Sequence, residues 1–118
     1  MTILLIDNSP ITSGRIVELL QNTKEVDNVF YAKDVKKGCA MFAASTIDVL
    51  ILATHIVNDE LVNLSELCKL FQCQIILLSQ YTHTSYSSWC REIGVAYLLD
   101  KASEVDQVEN ILKQFSNN

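Results

Sequence analysis

The chain has 118 residues, of which 49% are hydrophobic, so it is long enough to bury a core without metals or disulfides. Its 9 basic and 14 acidic residues give a formal charge of −5, and no basic cluster extends beyond Lys36 and Lys37, so direct nucleic-acid binding is not expected. No apolar run approaches the ~20 residues of a membrane span, and no signal-peptide pattern follows Met1. We expect a single cytoplasmic domain over residues 1–118 without a membrane partner.

Short β-rich runs alternate with segments of helical period along the whole sequence. The first, third and fourth strand segments are continuous Leu, Ile and Val runs, which is typical of parallel strands covered on both faces. Right-handed crossovers then place helices on both sides, which predicts an α/β fold with a doubly wound five-stranded parallel sheet. The strands are predicted over 2–7, 28–33, 48–53, 74–79 and 95–100, and the helices over 11–22, 35–45, 59–71, 85–93 and 105–115.

Boundary residues support this division. Ser9 followed by Pro10 predicts the N-cap and the first residue of the first helix, because proline lacks only a donor that is unpaired there. Asp34 and Asn58 are predicted caps of the second and third helices. Gly94 follows the fourth helix, where a residue free to adopt positive φ is favoured. The last helix carries one apolar stripe, formed by Val105, Val108, Ile111, Leu112 and Phe115.

The four cysteines lie inside apolar segments and form no C-x-x-C pair. This favours reduced core thiols over a disulfide framework or a metal site. The residues in question are Cys39, Cys68, Cys73 and Cys90.

Polar residues stand where the strands end, at the edge where doubly wound sheets bind ligands. The first strand ends in Asp7 and Asn8, and the fifth in Asp100 and Lys101. The fourth ends in Ser79. The third strand, "IDVLILA", ends in Ala53, which offers no reactive group.

These segments resemble the receiver domains of two-component response regulators over nearly the whole chain and in the right order. "LLIDNSPITSGRIVELL" resembles the first strand, acid pair and first helix of that family, "IDVLILA" its third strand, and "IILLSQ" its fourth. "GVAYLLDKASEVDQVENIL" resembles its fifth strand and last helix. The resemblance is nearest to receivers that precede helix-turn-helix output domains. It implies a flavodoxin-like sheet of order 2-1-3-4-5.

The resemblance also implies roles for single positions. In that family an acid pair holds Mg²⁺, an aspartate after the third strand accepts a phosphoryl group, and a hydroxyl and a lysine contact that group. Asp7 matches the first acid, Asn8 replaces the second, and Ser79 and Lys101 match the hydroxyl and the lysine. Ala53 occupies the phosphoacceptor position.

The switch aromatic of the family is ambiguous in this sequence. Three residues before Lys101 lies Leu98, whereas the aromatic Tyr97 is its neighbour and points to the opposite face of the strand. Either residue can hold the switch position.

Loss of these groups predicts loss of the covalent step. A methyl group cannot form an acyl phosphate, and Mg²⁺ selects anionic oxygen ligands that Ala53 and Asn8 do not supply. We therefore expect no metal and no cofactor. Two orientations remain open for Lys101, one that neutralises Asp7 and one that points to water. Other acids, which do not resemble a spare phosphoacceptor, are Asp48, Asp59, Glu60 and Asp100.

The first functional hypothesis is a pseudo-receiver that is not an enzyme and acts by binding a protein partner. The family resemblance points to the fourth helix, fifth strand and fifth helix as its surface, including pairing of two copies. Tyr86 and Trp89 lie on that helix, although core packing is the alternative for Trp89.

Two other hypotheses remain open. The chain can be the N-terminal receiver part of a DNA-binding transcription regulator whose helix-turn-helix domain is absent from this sequence. A ligand-binding module or an enzyme would need a nucleophile pair, such as His83 with Cys90 or Ser85, or a role for His55. No orienting acid and no Gly-rich phosphate loop support the latter, and a dinucleotide site is not expected with only three glycines.

Overall fold

The structure, a computed structural model, describes residues 1–117. Within these residues, five strands and five helices alternate, as the hydrophobic pattern predicts. The strands are β1 (Thr2–Ile6), β2 (Asn28–Ala32), β3 (Val49–Leu52), β4 (Gln74–Ser79) and β5 (Tyr97–Asp100), and the helices are α1 (Pro10–Gln21), α2 (Val35–Ala44), α3 (Asn58–Leu70), α4 (Thr84–Glu92) and α5 (Gln107–Ser116).

The strands form one parallel sheet in the order β2-β1-β3-β4-β5, so the predicted doubly wound fold is confirmed. The chain moves outward from β1 to β2 and then crosses back to β3 and continues the other way. This change of direction leaves a crevice beyond the carboxyl ends of β1 and β3.

The core lies in two layers, one on each face of the sheet, because successive strand residues point to opposite faces. Leu4 and Ile6 of β1 belong to the layer that contains buried residues of α2, α3 and α4. Ile3 and Leu5 belong to the layer that contains buried residues of α1 and α5. All four side chains are fully buried, which explains why β1 shows no polar alternation.

The predicted N-caps of the second and third helices have different outcomes. The Asp34 side chain accepts a hydrogen bond of 2.8 Å from the Lys37 N–H at the start of α2, so this cap is confirmed. The prediction for Asn58 is wrong by one residue, because Val57 is the N-cap of α3 and Asn58 is its first helical residue. Val57 has extended backbone angles and no capping side chain, so polar composition alone misplaced this boundary.

Ser9 is the N-cap residue of α1 and Pro10 begins the helix, as predicted, but the Ser9 side chain makes no capping bond. Instead the Ser9 N–H donates to Asp7 Oδ1 at 3.0 Å. The Thr12 hydroxyl donates to the Ser9 carbonyl at 3.3 Å. The start of α1 is therefore tied to the end of β1 through Asp7.

All five residues of the apolar stripe predicted for the last helix pack in one core layer, but the helix begins after the first of them. Val108, Ile111 and Leu112 are buried and Phe115 packs beside them, but Val105 lies before the helix in a turn.

Within residues 1–117, no helix is both long enough and apolar enough to cross a bilayer.

Gly94 ends α4 in the predicted way. Its φ is +103°, its N–H donates to the Arg91 carbonyl, and the N–H of Val95 donates to the Cys90 carbonyl. These two bonds define a Schellman motif, which satisfies carbonyls at the helix end.

The same motif ends α3, but with a side chain at the strained position. Gln72 has φ +56°, and its N–H donates to the Lys69 carbonyl at 3.2 Å. The N–H of Cys73 donates to the Cys68 carbonyl at 2.8 Å. A glutamine therefore adopts a conformation that glycine adopts at lower cost.

The cysteines are all free thiols, as predicted. Cys68, Cys73 and Cys90 are buried and Cys39 is half-buried. A hydrogen bond with Cys73, together with burial, raises the pKa of Cys68, and burial raises the pKa of Cys39 and Cys90. These neutral thiols pack as small apolar groups.

Candidate functional site

A cavity of about 350 Å³ lies beyond the carboxyl ends of β3, β4 and β5. Its wall includes Asn8, Ala53, Ser79, Tyr86 and Lys101. The fold therefore brings together five of the residues that the sequence singles out, four of them at the ends of four different strands or just after those ends, and Tyr86 on α4.

Asp7 lies at this edge with no exposed surface. Its Oδ1 accepts from the Ser9 N–H at 3.0 Å and from Lys101 Nζ at 3.5 Å. Its Oδ2 has no hydrogen-bond partner among the described residues. Burying an ionised carboxylate costs free energy unless an opposite charge lies beside it. The Lys101 ammonium supplies that charge for Asp7.

Lys101 connects three strands that are not all neighbours. Its Nζ donates to the Ala53 carbonyl after β3 and forms a salt bridge with Asp7 after β1. Its backbone N–H donates to the Ser79 carbonyl at 3.0 Å. Its side chain is only 18% exposed, so of the two orientations left open by the sequence, the structure adopts the one that faces Asp7.

Ala53 directly follows β3, and it is 2% exposed. Its N–H donates to the Ile6 carbonyl at 2.8 Å and its carbonyl accepts from Lys101. Ser79 lies nearby and its Oγ accepts from the Tyr81 N–H at 2.9 Å. Together these groups offer an ammonium and a hydroxyl, but no free carboxylate.

The residues present do not fit a Mg²⁺ ion. Asp7 offers a carboxylate at this edge, and the ammonium of Lys101 already neutralises it. Asn8 is exposed and offers only a neutral amide. Mg²⁺ needs anionic oxygens, and no group of three or more His, Cys, Asp or Glu residues able to hold a metal is present in residues 1–117.

Other acids lie in different places. Asp48 precedes β3, and its Oδ2 accepts from the Thr2 N–H at 2.7 Å at the opposite edge of the sheet. Asp59 and Glu60 lie in the first turn of α3, where negative charge favours the helix dipole. The Asp100 Oδ1 accepts from the backbone of the turn that follows β5.

Leu98 and Tyr97 lie on opposite faces of the sheet. Leu98 packs against the layer formed with α2, α3 and α4. Tyr97 packs against the other layer, with its ring 5.9 Å from that of Phe115, and its hydroxyl donates to Gln114 Oε1 at 3.1 Å. Neither residue lines the cavity.

Tyr86 and Trp89 form an aromatic pair on α4, with ring centroids 5.8 Å apart. Both are half-buried against the core. Trp89 therefore packs against the core, as one alternative predicts, and still exposes part of its ring at the surface, as the other requires. Burial and the neighbouring Cys90 raise the pKa of Tyr86 to about 12. Its hydroxyl is therefore protonated at neutral pH.

Of the two nucleophile pairs considered from the sequence, the structure brings His83 and Ser85 within hydrogen-bond distance, at the exposed start of α4. His83 is the N-cap of α4, and its Nδ1 accepts from the Tyr86 N–H at 3.3 Å and lies 3.1 Å from Ser85 Oγ. Cys90 is buried and its pKa is raised. His55 is exposed, and its ring stacks edge-on to that of Tyr81.

Two contacts to Asp7 were missed by the sequence reasoning. One is the bond from Ser9, for which an Asp two residues before a Ser-Pro is a local signal of an Asx turn. The other is a hydrogen bond of 2.7 Å from the Tyr31 hydroxyl to the Asp7 carbonyl. No local pattern could have revealed it, because the residues are joined only by the pairing of β1 with β2.

At the level of sequence, no family model and no curated protein matches the chain. Solved structures do match it. A response regulator from Thermotoga maritima superposes with a TM-score of 0.83 at 17% identity, over 99% of this chain and 98% of that one. The non-phosphorylated receiver domain of RcsB from Escherichia coli gives a TM-score of 0.84 at 17% identity, covering 99% and 93%. The chain has the receiver fold.

A longer relative is also similar. The RcsB response regulator of Salmonella typhimurium gives a TM-score of 0.85 at 16% identity, over all of this chain and 62% of that one. The present chain thus spans less than two thirds of that regulator. At such low identities the comparison establishes the receiver fold and leaves the activity to be argued from the site.

Proposed function

We propose that this chain is a pseudo-receiver, a signalling domain of the receiver fold that is not phosphorylated at the usual position and acts by binding a protein. The observation that carries the proposal is Ala53. Its buried methyl group stands at the position that the family resemblance assigns to the phosphoacceptor, with Lys101 bonded to its carbonyl. The role assigned to each of these residues belongs to this proposal.

The first supporting step is chemical. Phosphoryl transfer to a receiver needs a carboxylate oxygen as nucleophile, and a methyl group has no lone pair to offer. The transfer also needs a cation to neutralise the phosphoryl oxygens. Here Ala53 offers no oxygen, Asn8 carries no charge and Asp7 is paired with Lys101, so neither a nucleophile nor a free acid pair for a metal remains.

A side chain, and not a bound group, holds the carboxyl edge of the sheet. Lys101 holds the ends of β1 and β3 from the far side of β4 without a phosphoryl group or a metal. The edge that a typical receiver would rearrange is thereby held in one arrangement. A domain of this kind presents a constant surface, which suits a binding module and requires no catalysis.

The third step concerns the surface. Tyr86 and Trp89 form a half-exposed aromatic pair on α4, beside β5 and α5, and aromatic side chains are enriched in protein interfaces. We assign the α4–β5–α5 face to a protein partner in the cytoplasm. Among the solved structures similar to this chain is the P1 domain of CheA3 in complex with CheY6 from R. sphaeroides.

The test is phosphorylation with Mg²⁺ and acetyl phosphate, read by intact mass. A receiver that retains its aspartate is the positive control, and the variant Ala53→Asp/Asn8→Asp tests whether the fold regains the reaction when both carboxylates are restored. We expect no adduct on the natural chain. An adduct that hydroxylamine removes would show an acyl phosphate and overturn the proposal.

A second candidate is the receiver part of a DNA-binding transcription regulator. The observation that favours it is the match to 60% of the RcsB chain in an RcsB–DNA complex, in which the remainder of the chain lies outside the similarity. With a charge of −5, the present chain itself would not be the DNA-binding part. Sequencing the complete reading frame tests this, and a frame without a DNA-binding domain excludes it.

A further inference from the structure

β2 is an edge strand of the sheet that lacks the usual protection against pairing. It contains no charged residue, no proline and no glycine between Asn28 and Ala32. Phe30 and Tyr31 are 37% and 38% exposed, so helices do not cover this strand completely. Exposed edges of this kind are templates for pairing with another strand.

The backbone of β2 has one set of groups already bonded and one set free for a partner. The Ala32 carbonyl accepts from the Asp7 N–H at 3.1 Å, so Ala32 directs its backbone groups towards β1. Along a strand in a parallel sheet, the backbone N–H and C=O of successive residues point alternately to one side and the other. The N–H and C=O of Val29 and Tyr31 therefore point away from the sheet.

An antiparallel copy fits this edge in one register. With a two-fold axis at Phe30, Val29 of one copy stands opposite Tyr31 of the second, so that their outward N–H and C=O groups can exchange hydrogen bonds. Asp27, one residue before β2, and Lys33, one residue after it, then lie near each other at both ends of the pair, and Asp27 also forms a salt bridge of 2.7 Å with the N-terminal amine of its own chain. Opposite charges directly across strands are stabilising.

The other edge strand does not offer this arrangement. The four-residue β5 carries Asp100 within the strand, and a two-fold pairing would place Asp100 opposite Tyr97 instead of opposite a cation. For two molecules of charge −5, charge complementarity therefore selects the β2 edge.

We propose that two copies of this chain pair through β2 in antiparallel register, joining their sheets across a two-fold axis. The proposal does not rest on the missing phosphoacceptor, and it adds a surface distinct from the α4–β5–α5 face. It links to the site through Tyr31, whose hydroxyl bonds Asp7. A five-residue contact is small, so we expect the weak, concentration-dependent class of association.

A charge-swap experiment tests the register. In Lys33→Glu, two copies would place an acidic side chain opposite another acidic one at both ends of the pair. In Asp27→Lys, two basic side chains would face each other there, so each variant alone should remain monomeric. An equimolar mixture of the two variants restores opposite charges at both ends and should associate again. Sedimentation velocity across a concentration series measures the mass relative to the 13.3 kDa monomer.

Controls separate this surface from others and from misfolding. Lys113→Glu changes an exposed lysine on α5 and should leave pairing unchanged. Asp27 also pairs with the N-terminal amine, so Val29→Pro gives a second test of this edge that does not depend on Asp27: it removes one outward N–H and should remain monomeric. In the natural chain, hydrogen exchange at Val29 and Tyr31 should slow by at least about 5-fold as concentration rises into the associated range.

Three results would overturn the proposal. A natural chain that stays monomeric up to about 1 mM would do so, since weak interfaces still associate in that range. Association that is abolished by Lys113→Glu and unchanged by Lys33→Glu would also overturn the proposal, because it would show that the copies pair through the α5 face. A mixture of the two charge variants that remains monomeric would show that the register is wrong. None of these results bears on the acetyl phosphate test.

Discussion

Replacing Lys101 by methionine tests whether this residue stabilises the buried Asp7 carboxylate. The ammonium and Asp7 Oδ1 are 3.5 Å apart, which corresponds to about 5 kcal/mol of gross attraction at an effective dielectric near 20. Removing one partner of a fully buried pair costs about 3–5 kcal/mol. Because the Lys101 side chain is 18% exposed, we expect a smaller loss of about 2–3 kcal/mol in the free energy of unfolding.

The companion variants identify the cause of this loss. Asp7→Asn removes the charge that would be left unpaired, so Lys101→Met/Asp7→Asn should lose only about 1 kcal/mol, chiefly the hydrogen bond to the Ala53 carbonyl. The double variant should thus be more stable than Lys101→Met alone. Lys113→Met is the matched control, because its salt bridge with Glu109 is about half exposed and should be worth less than about 0.5 kcal/mol.

The assay is urea unfolding followed by far-ultraviolet circular dichroism, with similar m-values required of all variants. A Lys101→Met protein within about 0.5 kcal/mol of the natural chain would refute the pairing, since so small a change is typical of surface substitutions. Failure of Asp7→Asn to restore stability would show that the loss comes from packing of the lysine stem and not from the stranded charge.

Two further predictions concern the helix ends and the thiols. Gln72→Gly should raise the free energy of unfolding by up to about 1 kcal/mol, because glycine adopts the φ of +56° at lower cost than glutamine. Gly94→Ala should lower it by about 1–2 kcal/mol, because a side chain is disfavoured at a φ of +103°. Urea unfolding measures both. The pKa values of Cys68 and Cys90 are raised from 9.0 in the folded state, so unfolding releases protons above that pH. The free energy of unfolding should therefore be highest below pH 9 and fall as the pH rises further. Thermal melts at about pH 8 and about pH 10 measure this, and equal melting temperatures would contradict it.

The sheet was predictable because its signal is local. β1, β3 and β4 are short apolar runs whose composition already requires burial on both faces, and the order of strands and helices leaves few topologies. Boundaries that depend on a single side chain were less secure. Asp34 caps α2 as expected, but the N-cap of α3 lies one residue before the expected polar cap, because the extended backbone of Val57 can end a loop without any side-chain bond.

The sequence alone placed Asp7, Ala53 and Lys101 at the carboxyl edge of the sheet, because parallel strands all end there. It left open where the lysine points and whether Tyr31 takes part. The tertiary structure decided both, since Lys101 and Asp7 are 94 residues apart and Tyr31 and Asp7 are 24 apart. A flexible stem takes its orientation from whatever charge lies within its reach, and only the folded sheet places the buried Asp7 carboxylate there.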